Sequence, residues 1–548
     1  MYNSVCSPVS ATMSDVNFAG LCDDLHYMIL MNVLETAPST LCALARASRA
    51  LNAIANPYIY RNVVIDEGKP NTAKQRQADQ LIYRLRERGK RNVGRFVREL
   101  RIERLDSQLA LEEILDSIQD LRIFRWNANT RLSPMAINKL HVRWPDLKIC
   151  IRNHKRNEAT MFDRALDPAL LSSKQLDALD FIIYGDVTGI TPFYSEWPHI
   201  TRLLQKGGNC RSLRLHIQSD AYYKVPKIFE DPNNIGKGQL HLRTGSIFPP
   251  LEELSILPGS HKNRYTFDPS HCAVLRECID WSRIRKLDFR DDCPVSFFTE
   301  MCGRVTNLES LRLHLPTLTP QSEVSRAVVM FVDSVLGLKS LDLVGMESWI
   351  EVLWPVIDKH KTTLETLICR PHRHSYDPSS YLDPKYLTKF ANGFPRLQYL
   401  GINGKLKDEQ MNAQLDEEYL FPLYRSSLQT LDLTLLLPNG PSVFTQYRLE
   451  DRNQSWTPDL SIIRSKKVAI ALGERIYRAQ RGALKNLTMH FLKRDFEISF
   501  QGMQMMEARM RLKRSERDDV EMMDEMDRWE VKGALRWNPL AESGVVSD

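Results

Sequence analysis

One short phrase recurs along this chain and narrows what it can fold into. It runs apolar residue, two others, leucine, one other, then a second apolar residue. It reads Cys210/Leu213/Leu215, Leu251/Leu254/Ile256, Ile284/Leu287/Phe289, Leu308/Leu311/Leu313 and Leu338/Leu341/Leu343. Further copies are Leu364/Leu367/Cys369, Leu397/Leu400/Ile402, Leu428/Leu431/Leu433 and Leu484/Leu487/Met489. Weaker ones precede them at Val97/Leu100/Ile102, Leu121/Phe124/Trp126, Trp144/Leu147/Ile149 and Leu176/Leu179/Phe181. The central residues run from 100 to 487, so their twelve intervals average about 32 residues. Intervals longer than 20–29 residues are attributed to loop insertions, most obviously the polar stretch 438–456.

Alternate apolar residues spell a short strand, and helical periods such as 324–336 and 349–360 lie between the phrases. Strand, helix and return to a parallel strand make one coil of a solenoid, which its neighbours must stabilise. A doubly wound α/β sheet also alternates strands with helices, but thirteen strands in one open sheet would be unusual. The expected fold is therefore a mostly α/β leucine-rich-repeat solenoid, preceded by a small three-helix module.

If the phrase leucines point inward, the residues flanking and between them face the concave surface. Arg101, Arg125, Arg214, His216, Asp288, Arg290, Arg312, His314, Asp342, Arg370, Tyr399 and Asp432 become the candidate substrate-binding residues. Glu99, Glu103, Asn127, Ser212, Lys286, Ser310, Asn403 and His490 share that row. Both charge signs with His, Ser and an occasional aromatic suit a protein-binding face, and a solvated face without a ligand would look nearly the same.

Residues 21–65 read differently. Leu25, Ile29, Leu30, Val33 and Leu34 fall on one helical face, after Asp23 and Asp24 at a helix start. Pro38 opens a second helix carrying Leu41 and Leu44, and a third carries Leu51, Ile54 and Ala55 up to Pro57. So small a core needs a partner or neighbouring domain over its apolar face.

This segment resembles an F-box, particularly the fungal kind that opens Leu-Pro-Asp-Glu-Leu and closes on Pro-x-x-Tyr-Arg-x-Val. Leu21, Asp23, Asp24, Leu25, Ile29, Leu30 and Leu34 match the first helix of that pattern. Pro38, Ser39, Leu41 and Leu44 match the second, and Pro57, Tyr60, Arg61 and Val63 the closing phrase. Cys22 stands where the family has proline, the residue that helps set the chain's entry against the adaptor. With the repeats behind it, the chain resembles the F-box/leucine-rich-repeat proteins over residues 21–490. The resemblance implies a substrate-recognition subunit of an SCF (cullin–RING) ubiquitin ligase. Its F-box would dock on the adaptor subunit, and through it cullin, by Leu21, Leu25, Ile29, Leu30, Leu34, Pro38, Leu41 and Leu44. The repeats would hold an unknown protein substrate near the charged E2, so that transfer is accelerated by proximity alone. No residue would be catalytic. The alternative is a leucine-rich-repeat scaffold outside any ligase, its helices serving as an amino-terminal cap.

The remaining sequence excludes other classes. Over 548 residues the formal charge is only +6, too small to mark a nucleic-acid binder. Residues 69–104 hold twelve Lys/Arg against four acids, which reads as a solvated connector or as an RNA or import signal. Aromatics for base stacking are scarce there, and nucleic acid is not an expected partner. No run approaches 18 apolar residues, and the first residues have neither basic nor apolar signal character, so neither membrane nor secretion is expected. The ten cysteines include no C-x-x-C pair and fit reduced thiols in the cytoplasm or nucleus. Cys272, Cys278, Cys293 and Cys302 lack zinc spacing, and His360, His372 and His374 lack partners in the sequence. Phosphate-loop, hydrolase and metalloprotease motifs are absent, so neither cofactor nor metal is expected. The resulting layout is a disordered tail (1–20), the helical module (21–65), a basic linker helix (66–95), the repeats (96–500) and a charged, Met-rich tail (501–548). That tail either presents an adaptable Met-rich helix face or, as expected here, covers the open last coil.

Overall fold

The computed structural model describes residues 21–36, 38–68, 72–87, 93–105, 107–128, 130–153, 166–184, 196–218, 239–257, 265, 267–290, 293–315, 322–345, 349–370, 383–404, 428–436, 476, 484, 486–495, 504–514, 520–525 and 530–531. The tail 1–20, the insertion 438–456, His372, His374 and part of the Met-rich tail lie outside them. The chain divides into two compact units, one reaching Gly236 and including Phe248–Pro250, the other comprising Lys237–Ile247 and everything from Leu251.

The first unit opens with helices α1 (Asp23–Thr36), α2 (Pro38–Ala47) and α3 (Arg49–Ile59). Ser48 caps α3 by accepting from Leu51 N, and the helix runs through Pro57 instead of ending there. Next comes β1 (Asn62–Asp66), a parallel strand paired with β2 (Glu99–Arg104). Val63, Val64 and Ile65 thus form a strand where the sequence suggested the end of the helical module. Helix α4 (Ala73–Arg86) buries Ala78, Ile82 and Leu85 and leaves Tyr83 exposed. The strands β3 (Ile123–Trp126), β4 (Lys148–Asn153), β5 (Leu176–Tyr184) and β6 (Ser212–Gln218) follow, all parallel. They alternate with α5 (Gln108–Ser117), α6 (Pro134–Arg143), α7 (Pro168–Leu171) and α8 (Trp197–Gly207).

The second unit continues in the same manner. Its parallel strands are β7 (Glu253–Leu257), β8 (Lys286–Asp288), β9 (Ser310–His314), β10 (Ser340–Val344), β11 (Thr366–Arg370), β12 (Tyr399–Gly404), β13 (Thr430–Leu436) and β14 (Asn486–Asp495). Its helices are α9 (Pro269–Cys278), α10 (Val295–Met301), α11 (Glu323–Ser334), α12 (Ile350–Lys359) and α13 (Pro384–Gly393). Among the described residues the fold is therefore α/β, six parallel strands in one unit and eight in the other, with the strand–helix order of a repeat array.

Local sequence explains the helix starts. Ser133-Pro134, Asp167-Pro168, Asp268-Pro269 and Asp383-Pro384 each place a capping side chain before proline at the first helical position. Ser133 Oγ accepts from Ala136 N at 3.0 Å and Asp268 Oδ1 from His271 N at 2.9 Å. The phrase residues fill the core: Leu100, Phe124, Leu213, Leu287, Leu311, Leu341, Leu367, Leu400, Leu431 and Leu487 are all buried. In the second unit Phe289, Phe297, Phe298 and Phe331 add an aromatic cluster of edge-on and tilted contacts with ring centroids 5.0–6.3 Å apart.

One phrase shifts register. Phe124 pairs with Ile149 and Trp126 with Ile151, so Trp144 and Leu147 precede β4. Leu147 N donates to Trp144 O at 3.0 Å, a turn that consumes the residues the pattern assigned to the strand. The tail from 501 supplies antiparallel strands: β15 (Gln504–Arg514) pairs with β14, and β16 (Val520–Glu525) and β17 (Glu530–Val531) pair with β15. Backbone groups of β14 that would otherwise form an open edge are thereby paired.

Gly345 follows β10 at φ +84, and a Cβ there would collide with the Leu315 carbonyl oxygen. Gly303 has φ +74 but open space around it. Urea unfolding should show Gly345→Ala losing about 2 kcal/mol or more, and Gly303→Ala about 1 kcal/mol. Equal losses would contradict the close approach.

Candidate functional surfaces

Parallel pairing in register turns each position of the phrase into a row across the sheet. In the first unit Arg101 pairs with Arg125, and that row runs on through Cys150, Ala178 and Ser212 past a register shift between Ile149 and Cys150; Arg152, Asp180 and Arg214 form a second row across β4–β6. Arg101 forms an ion pair with Glu103, and Arg125 Nε meets Glu99 Oε1 at 2.5 Å. Asp180 gathers three groups: Arg152 and Arg214 at 3.6 Å each, and His216 Nε2 at 2.7 Å from its Oδ1. Asp180 and Arg152 were not candidates from sequence. Asp180 follows Leu179 within the expected strand, so its place in the polar row was readable there; its three partners were not.

In the second unit one row runs Asp288, Arg312, Asp342, Ile368, Gly401, Asp432. Arg312 Nε lies 3.1 Å from Asp342 Oδ2, and Tyr399 Oη donates to Asp432 Oδ2 at 2.9 Å. Arg290 N donates to Asp288 Oδ1 at 3.0 Å, with Arg290 held at φ 41. His314 pairs with Val344, and Val344 with Arg370, one step further along the strands. Burial lifts the Asp342 carboxyl above the usual carboxylate range; Arg312, Arg370 and Arg290 oppose that shift and Asp288 adds to it. Burial likewise raises the Tyr399 phenol, with Asp432 adding to the effect. Asp288, Arg290, Arg312, Asp342 and Arg370 thus act on one another as a cluster, and Tyr399 with Asp432 adjoins it.

The amino-terminal candidates separate into two sets. Leu25 and Ile29 on α1 are 44% and 39% exposed, beside exposed Tyr27 and Met28. Leu30 and Leu41 are buried in the chain's own core, and Leu21, Leu34 and Leu44 are half-buried. Pro38 starts α2, and its side chain is outside the described residues. Cys22 is exposed. The spacing grouped Leu25, Ile29 and Leu30 on one face; in the fold Leu30 and His26 turn inward and the other two outward.

The basic run is largely engaged by the fold. Lys74, Arg86, Arg98 and Arg101 pair with Asp66, Glu113, Asp120 and Glu103, and Arg104 donates to Gly68 O at 2.7 Å. Arg84 lies 4.9 Å over the Tyr60 ring and Arg95 4.5 Å over the Phe96 ring. Lys69, Arg88, Lys90 and Arg91 are outside the described residues.

Several thiols are raised by burial, Cys150 to about 11 and Cys210 and Cys272 to about 12, which disfavours the nucleophilic thiolate. Among the described residues no three His, Cys, Asp or Glu side chains gather as a metal site would require. No helix among them is long and apolar enough to cross a membrane.

Comparison with known proteins found no family model that matches the chain and no match among curated proteins.

Because the Asp342 acid is raised, it favours the folded state while protonated, and that contribution is lost as pH rises through its folded-state value. Asp342→Asn removes this dependence. Urea unfolding from about pH 4 to about pH 7 should show the variant gaining stability relative to the wild type. A relative loss over that range would mean that Arg312 more than offsets the burial.

Proposed function

We propose that this chain is an F-box/leucine-rich-repeat protein, a solenoid that recruits a protein substrate to an SCF ubiquitin ligase. The observation that carries the reading is the outward face of α1, where Leu25, Met28 and Ile29 are exposed together. Three neighbouring large apolar side chains exposed on one helix face favour a covering partner. The adaptor subunit of the ligase is that partner, and cullin follows through it. The substrate rests on the polar rows of the sheets, where arginines, Tyr399 and aspartates supply the contacts typical of protein recognition. The chain contributes no catalytic residue; it raises the local concentration of substrate beside the E2.

A second reading, a scaffold whose helices only cap the sheet, draws on the backbone. Arg61 O, between α3 and β1, accepts from Arg98 N at 2.9 Å and Glu99 N at 3.0 Å. The helical module is therefore tied to the first strands, as an end cap would be.

Purified full-length protein mixed with the adaptor subunit distinguishes the two. The ligase reading expects co-elution with micromolar or tighter affinity. Leu25→Asp/Ile29→Asp should weaken it at least about 100-fold, the equivalent of roughly 3 kcal/mol of lost apolar contact. Leu30→Asp is the contrasting variant: Leu30 is 1% exposed, so its loss should unfold the module. No binding by folded wild type, or undiminished binding by the double variant, hands the lead to the scaffold.

A further inference from the structure

The polar cluster of the second unit has an arrangement that points to a particular kind of occupant. Its two central acids are nearly buried, Asp288 at 5% and Asp342 at 8% exposure, whereas Arg290, Arg312 and Arg370 are half-buried. Three guanidiniums over two sunken carboxylates leave the accessible charge positive. Arg312 is committed to Asp342 at 3.1 Å. Arg370 forms no ion pair within 4.0 Å among the described residues.

Beside Arg370 the row turns apolar. Ile368 is half-buried and leans over Gly401, where an added Cβ would lie 3.0 Å from Ile368 Cγ2. Tyr399, hydrogen-bonded to Asp432, flanks it. Two nearly buried acceptors, Asp342 Oδ1 and Asn403 Oδ1, have no hydrogen-bond partner among the described residues. Buried acceptors seldom stay unpaired, so the cluster carries an unmet polar demand beneath its face. Strain at Arg290, a non-glycine residue at φ 41, lies in the same cluster.

We propose that this face takes an extended acidic peptide segment across β9–β13, its carboxylate between Arg312 and Arg370 and an adjacent apolar side chain against Ile368 and Tyr399. Asp432 sets the polarity, because a second acid at that end would meet like charge. Four strand spacings of ~4.8 Å span roughly 19 Å, the reach of about six extended residues. The proposal rests on the sheet face being a binding surface and is independent of docking through α1.

Capped, fluorescein-labelled hexapeptides carrying Glu, Gln or Lys next to Leu or Ser test this by anisotropy with the full-length chain. The Glu-Leu peptide should bind tightest, at least about tenfold better than its Gln and Lys counterparts. Arg370→Ala should erase the Glu-over-Gln preference, and Arg370→Lys, which keeps the charge and guards against a folding defect, should retain part of it. Arg122→Ala, at an exposed arginine of the first unit, should leave the preference intact. Binding of the Lys peptide as tight as the Glu peptide, no binding of any peptide up to millimolar concentration, or an unchanged preference in folded Arg370→Ala would overturn the proposal. Adaptor binding measured on the same samples separates the readings: its loss with the peptide preference intact removes only the ligase assignment.

Discussion

Everything in this chain depends on parallel strands holding one register. From β8 to β13 the amides of the residue before each strand and of the strand's first residue share one carbonyl at the start of the preceding strand. Glu309 N and Ser310 N donate to Arg285 O, Lys339 N and Ser340 N to Glu309 O, and Glu365 N and Thr366 N to Lys339 O, all at 2.8–2.9 Å. That bifurcated start fixes which residue faces which, and a slip by one would send every phrase leucine to the polar face. The residues bearing these carbonyls alternate in charge: Glu252, Arg285, Glu309, Lys339, Glu365. Glu309 meets both neighbours, Arg285 at 2.7 Å and Lys339 at 3.2 Å. Such exposed pairs contribute little to stability individually, but a shifted pairing order would set like charges together.

Because register is uniform across β7–β13, chemistry placed at one position of the phrase accumulates there in one row. Acids set low in the polar rows hold arginines in place, as Asp180 does for Arg152 and Arg214 and Asp342 for Arg312. Removing such an acid would release long, flexible side chains, so these aspartates act by positioning others. Ile368 over Gly401 interrupts the polar row with an apolar patch, giving the surface the mixture of contacts that recognition of a protein segment uses.

Much of this was legible in the sequence, for a physical reason: a period of two assigns residues to faces without knowledge of the neighbours. The buried phrase leucines and the polar rows containing Arg101, Arg125, Arg312 and Asp342 follow from it directly. The charge alternation from Glu252 to Glu365 was equally available, since it sits at one fixed position of the phrase. What was not legible depends on contacts between elements. Whether Leu30 or Ile29 turns inward depends on where α2 and α3 pack on α1, and a helical period alone identifies only their shared side. The shift to Ile149 and Ile151 arises because the turn at Trp144–Leu147 uses residues that match the phrase equally well. Val63 and Ile65 formed a strand because β2 was there to receive them, and the strands at 504–525 likewise depend on β14.

The helical module buries few large side chains, chiefly Leu30 and Leu41, while leaving Leu25, Met28 and Ile29 to water. A module of that size gains from any partner that covers the outward face. Hydrogen–deuterium exchange of the full-length chain, free and with the SCF adaptor subunit, tests this central claim most directly. The account predicts slowed exchange in peptides covering residues 23–36, with those covering 286–314 and 340–370 unchanged. Protection confined to the sheet peptides, or no protection anywhere at saturating adaptor, would contradict it.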